Sequence, residues 1–347
     1  MGRREFLSRS SLSALGCLAG GVFPGLARAN EALAGISVDD LPELKGKLTL
    51  YLGRGEGGLY ERIISSIEKR NPELKLSIRR GPTAALANTI VAEAKVGYLR
   101  ADVFWAVDSG SIGLAAGTGK AAALKPEVTS QVDERFRKEN WVPVSGRIRT
   151  VPFNSEKLTA ADIPQSIMDF AESDLKIGWA PAYGAFQSFV SAMRILRGDE
   201  ATKKWLVATQ KHAKTYAGEL GAVLGVARGE VDVAFANHYY TLRLKAGDPE
   251  AKVDLAFTKD DAGCLLNASG AMCLRKGELG QNFVRYLLSR EAQQFLSSEA
   301  YEIPMLPGVD TPEGLPDLAQ IHPPKIDLSQ LSDLSPTLAL MRESGLL

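Results

Sequence analysis

The amino-acid sequence predicts an α/β fold with two lobes. From Leu48 onward, short β-like runs alternate with segments whose apolar residues recur at helical spacing, a pattern typical of a parallel or mixed sheet with helices on its faces. The 347 residues exceed what one hydrophobic core usually absorbs. No segment rich in proline, glycine and serine separates the two α/β series. We therefore expect two lobes joined by continuous hinge strands, with the ligand in the cleft.

The first series predicts lobe 1, over residues 46–144 and 263–300. Its expected strands are Leu48–Leu52, Leu74–Ile78 and Ala101–Ala106, and its helices are one whose apolar face carries Leu59, Ile63, Ile64 and Ile67 and one at Ala84–Lys95. After lobe 2, strand character resumes at residues 263–274, and a single long amphipathic helix is expected at about 280–298.

The second series predicts lobe 2, over residues 145–262. The expected strands are 146–153, 176–180, 231–236 and 253–257, and the expected helices are 185–197, 199–212 and 222–227. Residues 301–347 form a proline-bearing tail that we expect to pack on the surface of the lobes and to end in a helix.

The first 29 residues have the features of an export signal. Arg3 and Arg4 precede the weakly apolar segment 12–23, and Ala27-Arg28-Ala29 fits a cleavage site, an order that resembles a twin-arginine signal. We expect the protein to pass through the twin-arginine (Tat) export machinery and to work in the periplasm. Cys17 follows only a poor version of a lipoprotein box, so we expect it to be lost with the signal and to carry no lipid anchor.

Composition argues against several functional classes. The signal holds four arginines and one glutamate, which leaves 37 of 41 basic and 40 of 41 acidic residues in the mature chain. This balance lacks the basic footprint of a nucleic-acid binder. Two remaining cysteines and three scattered histidines do not make a zinc or iron–sulfur signature, and the glycine-rich loop 53–58 lacks nucleotide-binding spacing. We expect a monomeric binding protein and not an enzyme.

Cys264 and Cys273 stand nine positions apart across an expected loop at 267–270. Two neighbouring strands would place them opposite each other. The sequence leaves both a disulfide and two buried thiols open.

Two adjacent tyrosines are the most informative feature of the chain. Tyr239 and Tyr240 follow the apolar run Val231–Ala236, at a junction between a strand and a helix. A phenolate oxygen is a hard anionic ligand that suits ferric iron, whereas an isolated tyrosine is most often a packing residue. His238 precedes the pair and, as part of a strand, would point to the opposite face. We expect it to pack or to orient the backbone instead of binding metal.

The order of the motifs resembles that of the ferric-iron-binding periplasmic proteins of ABC importers. The resemblance covers essentially all of residues 46–347. It rests on these segments: Lys47–Tyr51, Gly53–Glu56, Ala101–Phe104, Ser145–Arg147, Gly178–Pro181, Gly184–Gln187, Asn237–Tyr240, Gly270-Ala271 and the tail from Ile303 to Val309. It implies the two-lobed periplasmic binding protein fold of type II, in which each lobe is a mixed sheet flanked by helices.

The resemblance also implies a ligand set. In that family the adjacent tyrosines bind iron, which implies the same role for Tyr239 and Tyr240. Many members add a third tyrosine 56 positions before the pair, and Tyr183 occupies that position here. The family often supplies a histidine or tyrosine just after the first strand, where this chain has Gly55.

The remaining coordination positions stay open at the level of the sequence. Carbonate or another synergistic anion, water, or the carboxylate of Glu56 or Glu93 are the alternatives. Arg54 could hold such an anion or favour deprotonation of the tyrosines. Arg243 lies one helical turn after Tyr239 and would favour its phenolate. Both arginines also fit ordinary turn or surface positions.

The sequence thus predicts a solute-binding protein that captures Fe(III) and delivers it to the permease and ATPase of an ABC importer. The same scaffold hosts many ligands, so a binding protein for a phosphonate, a sugar phosphate or thiamine is the first alternative. A periplasmic metal-handling accessory protein or enzyme is the second.

Overall fold

A computed structural model describes residues 35–53, 58–132, 138–316 and 320–347. The expected export signal and Cys17 lie outside these residues. The chain forms two units. Of the described residues, unit 1 comprises those up to Val107, Thr118–Ser145 and Ser269–Asp310, and unit 2 comprises those in Asp108–Gly117, Gly146–Ala268 and Thr311–Leu347. The chain passes from one unit to the other inside strands at two of these boundaries.

The described strands are β1 (Gly46–Gly53), β2 (Leu74–Gly81), β3 (Val103–Ala106), β4 (Val142–Phe153), β5 (Ile177–Trp179), β6 (Ala213–Thr215), β7 (Val233–Ala234), β8 (Ala236–Asn237), β9 (Asp254–Ala256), β10 (Leu266–Cys273) and β11 (Ile303–Pro304).

The described α-helices are α1 (Leu59–Arg70), α2 (Thr83–Lys95), α3 (Ser109–Ala116), α4 (Pro126–Thr129), α5 (Gly184–Arg197), α6 (Asp199–Gln210), α7 (Glu219–Ala227), α8 (His238–Gly247), α9 (Glu278–Leu287), α10 (Arg290–Ser298) and α11 (Ser335–Glu343). Short 3-10 helices occur at Val38–Asp40, Ala160–Asp162, Ile167–Ala171, Ala262–Cys264 and Leu328–Ser332. Within the described ranges, no helix has the length and hydropathy needed to cross a bilayer.

Unit 1 is built on a mixed sheet. Strand β1 pairs in parallel with β2 on one side and β3 on the other, and β10 pairs antiparallel with β3. Helix α1 buries Ile63, Ile64 and Ile67 on one face, as the sequence predicts. The fourth buried residue is Tyr60 and not the expected Leu59, which is only partly buried.

Unit 2 has its own mixed sheet. Strand β5 pairs in parallel with β6 and β7, while β4 pairs antiparallel with β7, β8 and β9. Its core contains an aromatic cluster of Trp179, Phe186, Phe189, Trp205 and Phe235. This cluster supports the ends of β5 and β7, the region from which the candidate site is built.

Three local expectations are wrong. The long helix expected at 280–298 is two helices, because the hydroxyl of Ser289 accepts the backbone N–H of Ala292 and starts α10 there. The strand expected at 231–236 is the two short strands β7 and β8. The loop expected at 267–270 is the interior of β10, so Cys264 and Cys273 do not face each other across a hairpin. Both are free, buried thiols.

The units differ from the expected lobes in two places. Helix α3, which the sequence reading missed, belongs to unit 2, and its serine- and glycine-rich sequence has little helical periodicity. The tail divides at Asp310, and its later part is not a surface wrap alone. Leu331, Leu340 and Met341 are buried in the core of unit 2.

Candidate metal centre

Tyr239 and Tyr240 lie in the first turn of α8, directly after β8. Both side chains are buried, with 2% and 6% of their surface exposed, and their ring centroids are 4.6 Å apart. Strand β8 is fixed by β4, since Asn237 and Ala236 pair with Arg149 and Thr150. The tyrosine pair is therefore held at the edge of a sheet and at the start of a helix.

Tyr183 reaches the same place from a different element. It is the residue before α5, and its backbone carbonyl accepts the N–H of Gln187 in the first turn of that helix. Trp179 at the end of β5 contacts Phe186 edge-to-face, with ring centroids 5.6 Å apart. A Cβ at Gly178 would lie 3.2 to 3.3 Å from three neighbouring side chains, so a larger residue there would require these side chains to move by a few tenths of an ångström. This packing sets the position of the Tyr183 segment.

The three tyrosines of the predicted ligand set come together in unit 2. The hydroxyl oxygens of Tyr183 and Tyr240 are within hydrogen-bond distance at 2.9 Å, and Tyr240 contacts Tyr239 through its ring. Two phenol oxygens at this separation can approach one cation once their protons leave. Three phenolates would carry the charge that neutralises a trivalent ion.

Two polar groups contact Tyr239, one at its ring and one at its oxygen. The Arg243 guanidinium lies over the Tyr239 ring, with its central carbon 4.6 Å from the ring centroid. This contact places a positive charge next to the phenol, as the helical spacing predicts. The side-chain amide of Asn237 donates to the Tyr239 hydroxyl oxygen at 3.2 Å. The sequence reading did not identify this donor.

His238 binds backbone in the described structure. Its Nδ1 accepts the backbone N–H of Ile148 at 3.2 Å, which agrees with the orienting role expected for it. The reason given for that role does not hold, because His238 is the first residue of α8 and strand alternation does not apply to it.

A buried ion pair underlies the tyrosine pair. Arg149 donates through Nη1 to Oε1 of Glu219, and both side chains are almost completely buried. Oε2 of the same carboxylate accepts the backbone N–H of Asn237 at 3.0 Å. The arginine also lies over the Phe189 ring, 5.1 Å from its centroid. No motif signals this pair, since its members are 70 positions apart.

The other predicted residues have different outcomes. Arg54, Gly55 and Glu56 lie outside the described residues. Glu93 belongs to unit 1, where its carboxylate accepts the Tyr51 hydroxyl at 2.7 Å and the backbone N–H of Arg100 at 2.9 Å. Burial, followed by this hydrogen bond, raises the pKa of Tyr51.

Two further tyrosines, Tyr60 and Tyr98, also belong to unit 1. Tyr60 stacks on Trp105 with ring centroids 4.3 Å apart and donates to Glu302, whereas Tyr98 is 61% exposed. Among the described residues, no group of three or more histidine, cysteine, aspartate or glutamate side chains is arranged to hold a metal ion.

Comparison with known proteins places this geometry in context. Residues 48–302 match the model of a family described as bacterial extracellular solute-binding protein. The chain is 31% identical over 261 residues to the major ferric iron-binding protein of Neisseria meningitidis serogroup A, covering 71% of this chain and 78% of that one. It is 29% identical over 285 residues to the Fe(3+)-binding periplasmic protein of Serratia marcescens, covering 79% and 83%.

The fold is also that of a solved member of this group. The crystal structure of iron-bound HitA from Pseudomonas aeruginosa superposes with a TM-score of 0.77 at 30% identity, over 88% of this chain and all of that chain. This confirms the periplasmic binding protein fold that the sequence predicts. The chain belongs to the family of bacterial extracellular solute-binding proteins, as a relative of the ferric iron-binding proteins.

Proposed function

We propose that the protein captures Fe(III) in the periplasm and delivers it to the permease and ATPase of an ABC importer. The convergence of Tyr183 with the Tyr239-Tyr240 pair carries this proposal, because the 2.9 Å contact joins residues from two separate segments of unit 2. The relatives named as ferric iron-binding proteins support it. So does the iron-bound state named for the similar structure from Pseudomonas.

Tyr183, Tyr239 and Tyr240 are the proposed ligands. A phenol has an unperturbed pKa of about 10, so three phenolates at neutral pH need a strong cation beside them. Fe(III) with three phenolates is formally neutral, which lowers the cost of burying the charge. Arg243 favours the phenolate of Tyr239 before the metal arrives. The protein binds and releases its cargo and catalyses no reaction.

For the remaining coordination positions of the metal, we propose several alternative donors. Carbonate or another small anion, water, or a carboxylate supplies the remaining donors. We propose that Arg54, Glu56 and Glu93 either hold such an anion or lie around the metal. Glu93 would first have to leave its hydrogen bond with Tyr51.

Export by the Tat route places the mature chain, from about residue 30, in the periplasm. N-terminal sequencing of the exported protein tests this part of the proposal.

Visible spectroscopy tests the metal assignment. Fe(III) bound to phenolates absorbs visible light through ligand-to-metal charge transfer, so the purified apoprotein should become coloured when Fe(III) is added. Tyr239→Phe should weaken or abolish the band. Tyr216→Phe is the matched control, because Tyr216 is also in unit 2 but donates to Glu230. A wild-type protein that stays colourless, with metal binding unaltered by Tyr239→Phe, would refute the proposal.

Delivery is tested separately. Vesicles that contain the importer's permease and ATPase should accumulate iron when the loaded protein and ATP are supplied. The Tyr239→Phe protein, mixed with the same amount of Fe(III), should support much less uptake. Equal uptake with and without the binding protein would argue against its role in delivery.

A further inference from the structure

Asn237 occupies a helix-capping position without capping the helix. It is the residue before α8, with the extended backbone conformation usual for that position, yet its side chain accepts no N–H from the first turn. Asparagine at this position normally accepts such an N–H and stabilises the helix. Here the amide is turned away and donates to the Tyr239 hydroxyl oxygen at 3.2 Å. A favourable local interaction is given up for a contact with a proposed ligand.

The direction of this hydrogen bond suits the loaded state. A phenolate bound to a metal can only accept hydrogen bonds, and Asn237 already donates through Nδ2. The amide therefore needs no rotation when Tyr239 loses its proton. Donors that are already aimed at a site of negative charge stabilise it without further reorganisation.

The backbone of Asn237 is fixed by a buried carboxylate on another element of unit 2. Glu219 accepts the Asn237 N–H at 3.0 Å through Oε2, while its Oε1 accepts from Arg149. Arg149 is also the residue on β4 that pairs directly with Asn237 on β8. Asn237 is thus held from the opposing strand and from the start of α7, both within unit 2.

We propose that Asn237 is a positioning residue for the ligand Tyr239, and that the buried Arg149–Glu219 pair holds it in place. The proposal rests on the assignment of Tyr239 as an Fe(III) ligand. In it, the amide fixes the direction of the Tyr239 oxygen and withdraws electron density from the bound phenolate. Glu219 and Arg149 act through Asn237 and not on the metal.

The charge-transfer band gives a readout that simple loss of stability would not change. Removing the amide donor leaves more electron density on the phenolate, which lowers the energy needed to move an electron to Fe(III). The band of the Asn237→Ala protein should therefore move to longer wavelength. Loss of a hydrogen bond to a charged group should also release Fe(III) to EDTA faster, by about tenfold.

The experiment loads each variant with Fe(III) nitrilotriacetate and records the visible spectrum and the rate of transfer to EDTA. Asn154→Ala is the matched control, because Asn154 is another buried asparagine of unit 2 whose amide donates to the backbone carbonyl of Val226. It should keep the wild-type band position. Glu219→Gln keeps an acceptor for the Asn237 N–H but loses the charge facing Arg149, and should shift the band in the same direction by less.

The outcomes separate this inference from the proposed function. If wild type develops no visible band, the function fails, and the inference with it. If wild type is coloured and Tyr239→Phe loses the colour, but Asn237→Ala matches Asn154→Ala in band position and release rate, only the inference is overturned. If Glu219→Gln fails to fold, the variants Asn237→Ala and Asn237→Asp test the inference instead. The aspartate removes the donor and places a second anion beside the phenolate. A band at the wild-type wavelength in both would refute the proposal.

Discussion

The hydroxyl oxygens of Tyr183 and Tyr240 lie 2.9 Å apart in unit 2, although 57 positions separate the two residues in the chain. One hydroxyl donates to the other. In the proposed function, both phenols lose their protons when Fe(III) binds, and both oxygens contact the metal. The contributions of the two side chains to iron binding are therefore coupled and cannot be assigned to either residue alone.

Phenylalanine substitutions at Tyr183 and Tyr240 should have non-additive effects on iron binding. Either substitution removes one proposed ligand and also removes a hydrogen bond of the other hydroxyl. Residues in direct contact commonly show interaction energies of about 0.5–3 kcal/mol. We expect the double variant to lose less binding free energy than the sum of the single losses. Competition with a chelator of known Fe(III) affinity measures all four proteins.

Tyr216→Phe provides the baseline for this cycle, because its hydroxyl interacts with Glu230 and Lys214 and not with the tyrosine cluster. It should bind Fe(III) as the wild type does. Fully additive losses at Tyr183 and Tyr240 would show that they act independently, which would contradict a shared site.

Fe(III) should raise the thermal stability of the protein. A ligand that binds only the folded state stabilises it by about 2.7 kcal/mol when its free concentration is 100 times the dissociation constant. Calorimetry of the protein with and without Fe(III) measures the increase in Tm. The increase should be much smaller for Tyr239→Phe. An equal increase in that variant would place the metal elsewhere on the chain.

The sequence predicts most elements of the fold because their hydrophobic periods are clear. Strand β1 extends the expected Leu48–Leu52 by one or two residues at each end, and helix α1 covers the apolar positions from Leu59 to Ile67. The continuous amphipathic pattern at 280–298 hid the break at Ser289, because a serine within an apolar period gives little sign that it caps a new helix. Helix α3 escaped because its glycine- and serine-rich sequence has no strong period.

In the candidate site, too, only the residues connected by a sequence pattern could be predicted. Tyr183 could be placed beside Tyr239 and Tyr240 because a known spacing connects them, and the described structure brings them together. Glu219 and Arg149 could not be found this way. Their partnership depends on the pairing of β4 with β8 and on where α7 begins, which are tertiary facts with no local pattern in the chain.

Breaking the Arg149–Glu219 pair should destabilise the protein strongly. Both side chains are buried, and removing one leaves the other charge without compensation. Loss of one partner of a buried pair typically costs about 3–5 kcal/mol. We expect both Arg149→Leu and Glu219→Leu to lower the denaturant midpoint, and the double variant to recover part of the loss. Urea unfolding followed by circular dichroism measures this.

Lys204→Met is the comparison for that pair. Lys204 and Glu200 form an ion pair on α6, but their side chains are 76% and 80% exposed, and exposed pairs contribute little. The urea midpoint of the Lys204→Met variant should stay at the wild-type value. If the Arg149 and Glu219 variants were equally mild, the pair would not be the anchor of β8 that its contacts indicate.

Cys264 and Cys273 should be unreactive in the folded protein. Burial is the main cause that raises the pKa of Cys264 to about 11 and that of Cys273 to about 12. A thiol reacts as its thiolate, so at neutral pH both side chains are protonated as well as shielded from reagent.

A thiol-specific dye should label neither cysteine in the native mature chain and both after unfolding in guanidinium without reductant. Ser130→Cys adds an exposed thiol as the positive control and should react at once. Absence of labelling after unfolding would mean that the two cysteines form a disulfide. Rapid labelling of Cys273 in the native protein would mean that β10 opens to solvent, because Cys273 is the last residue of that strand.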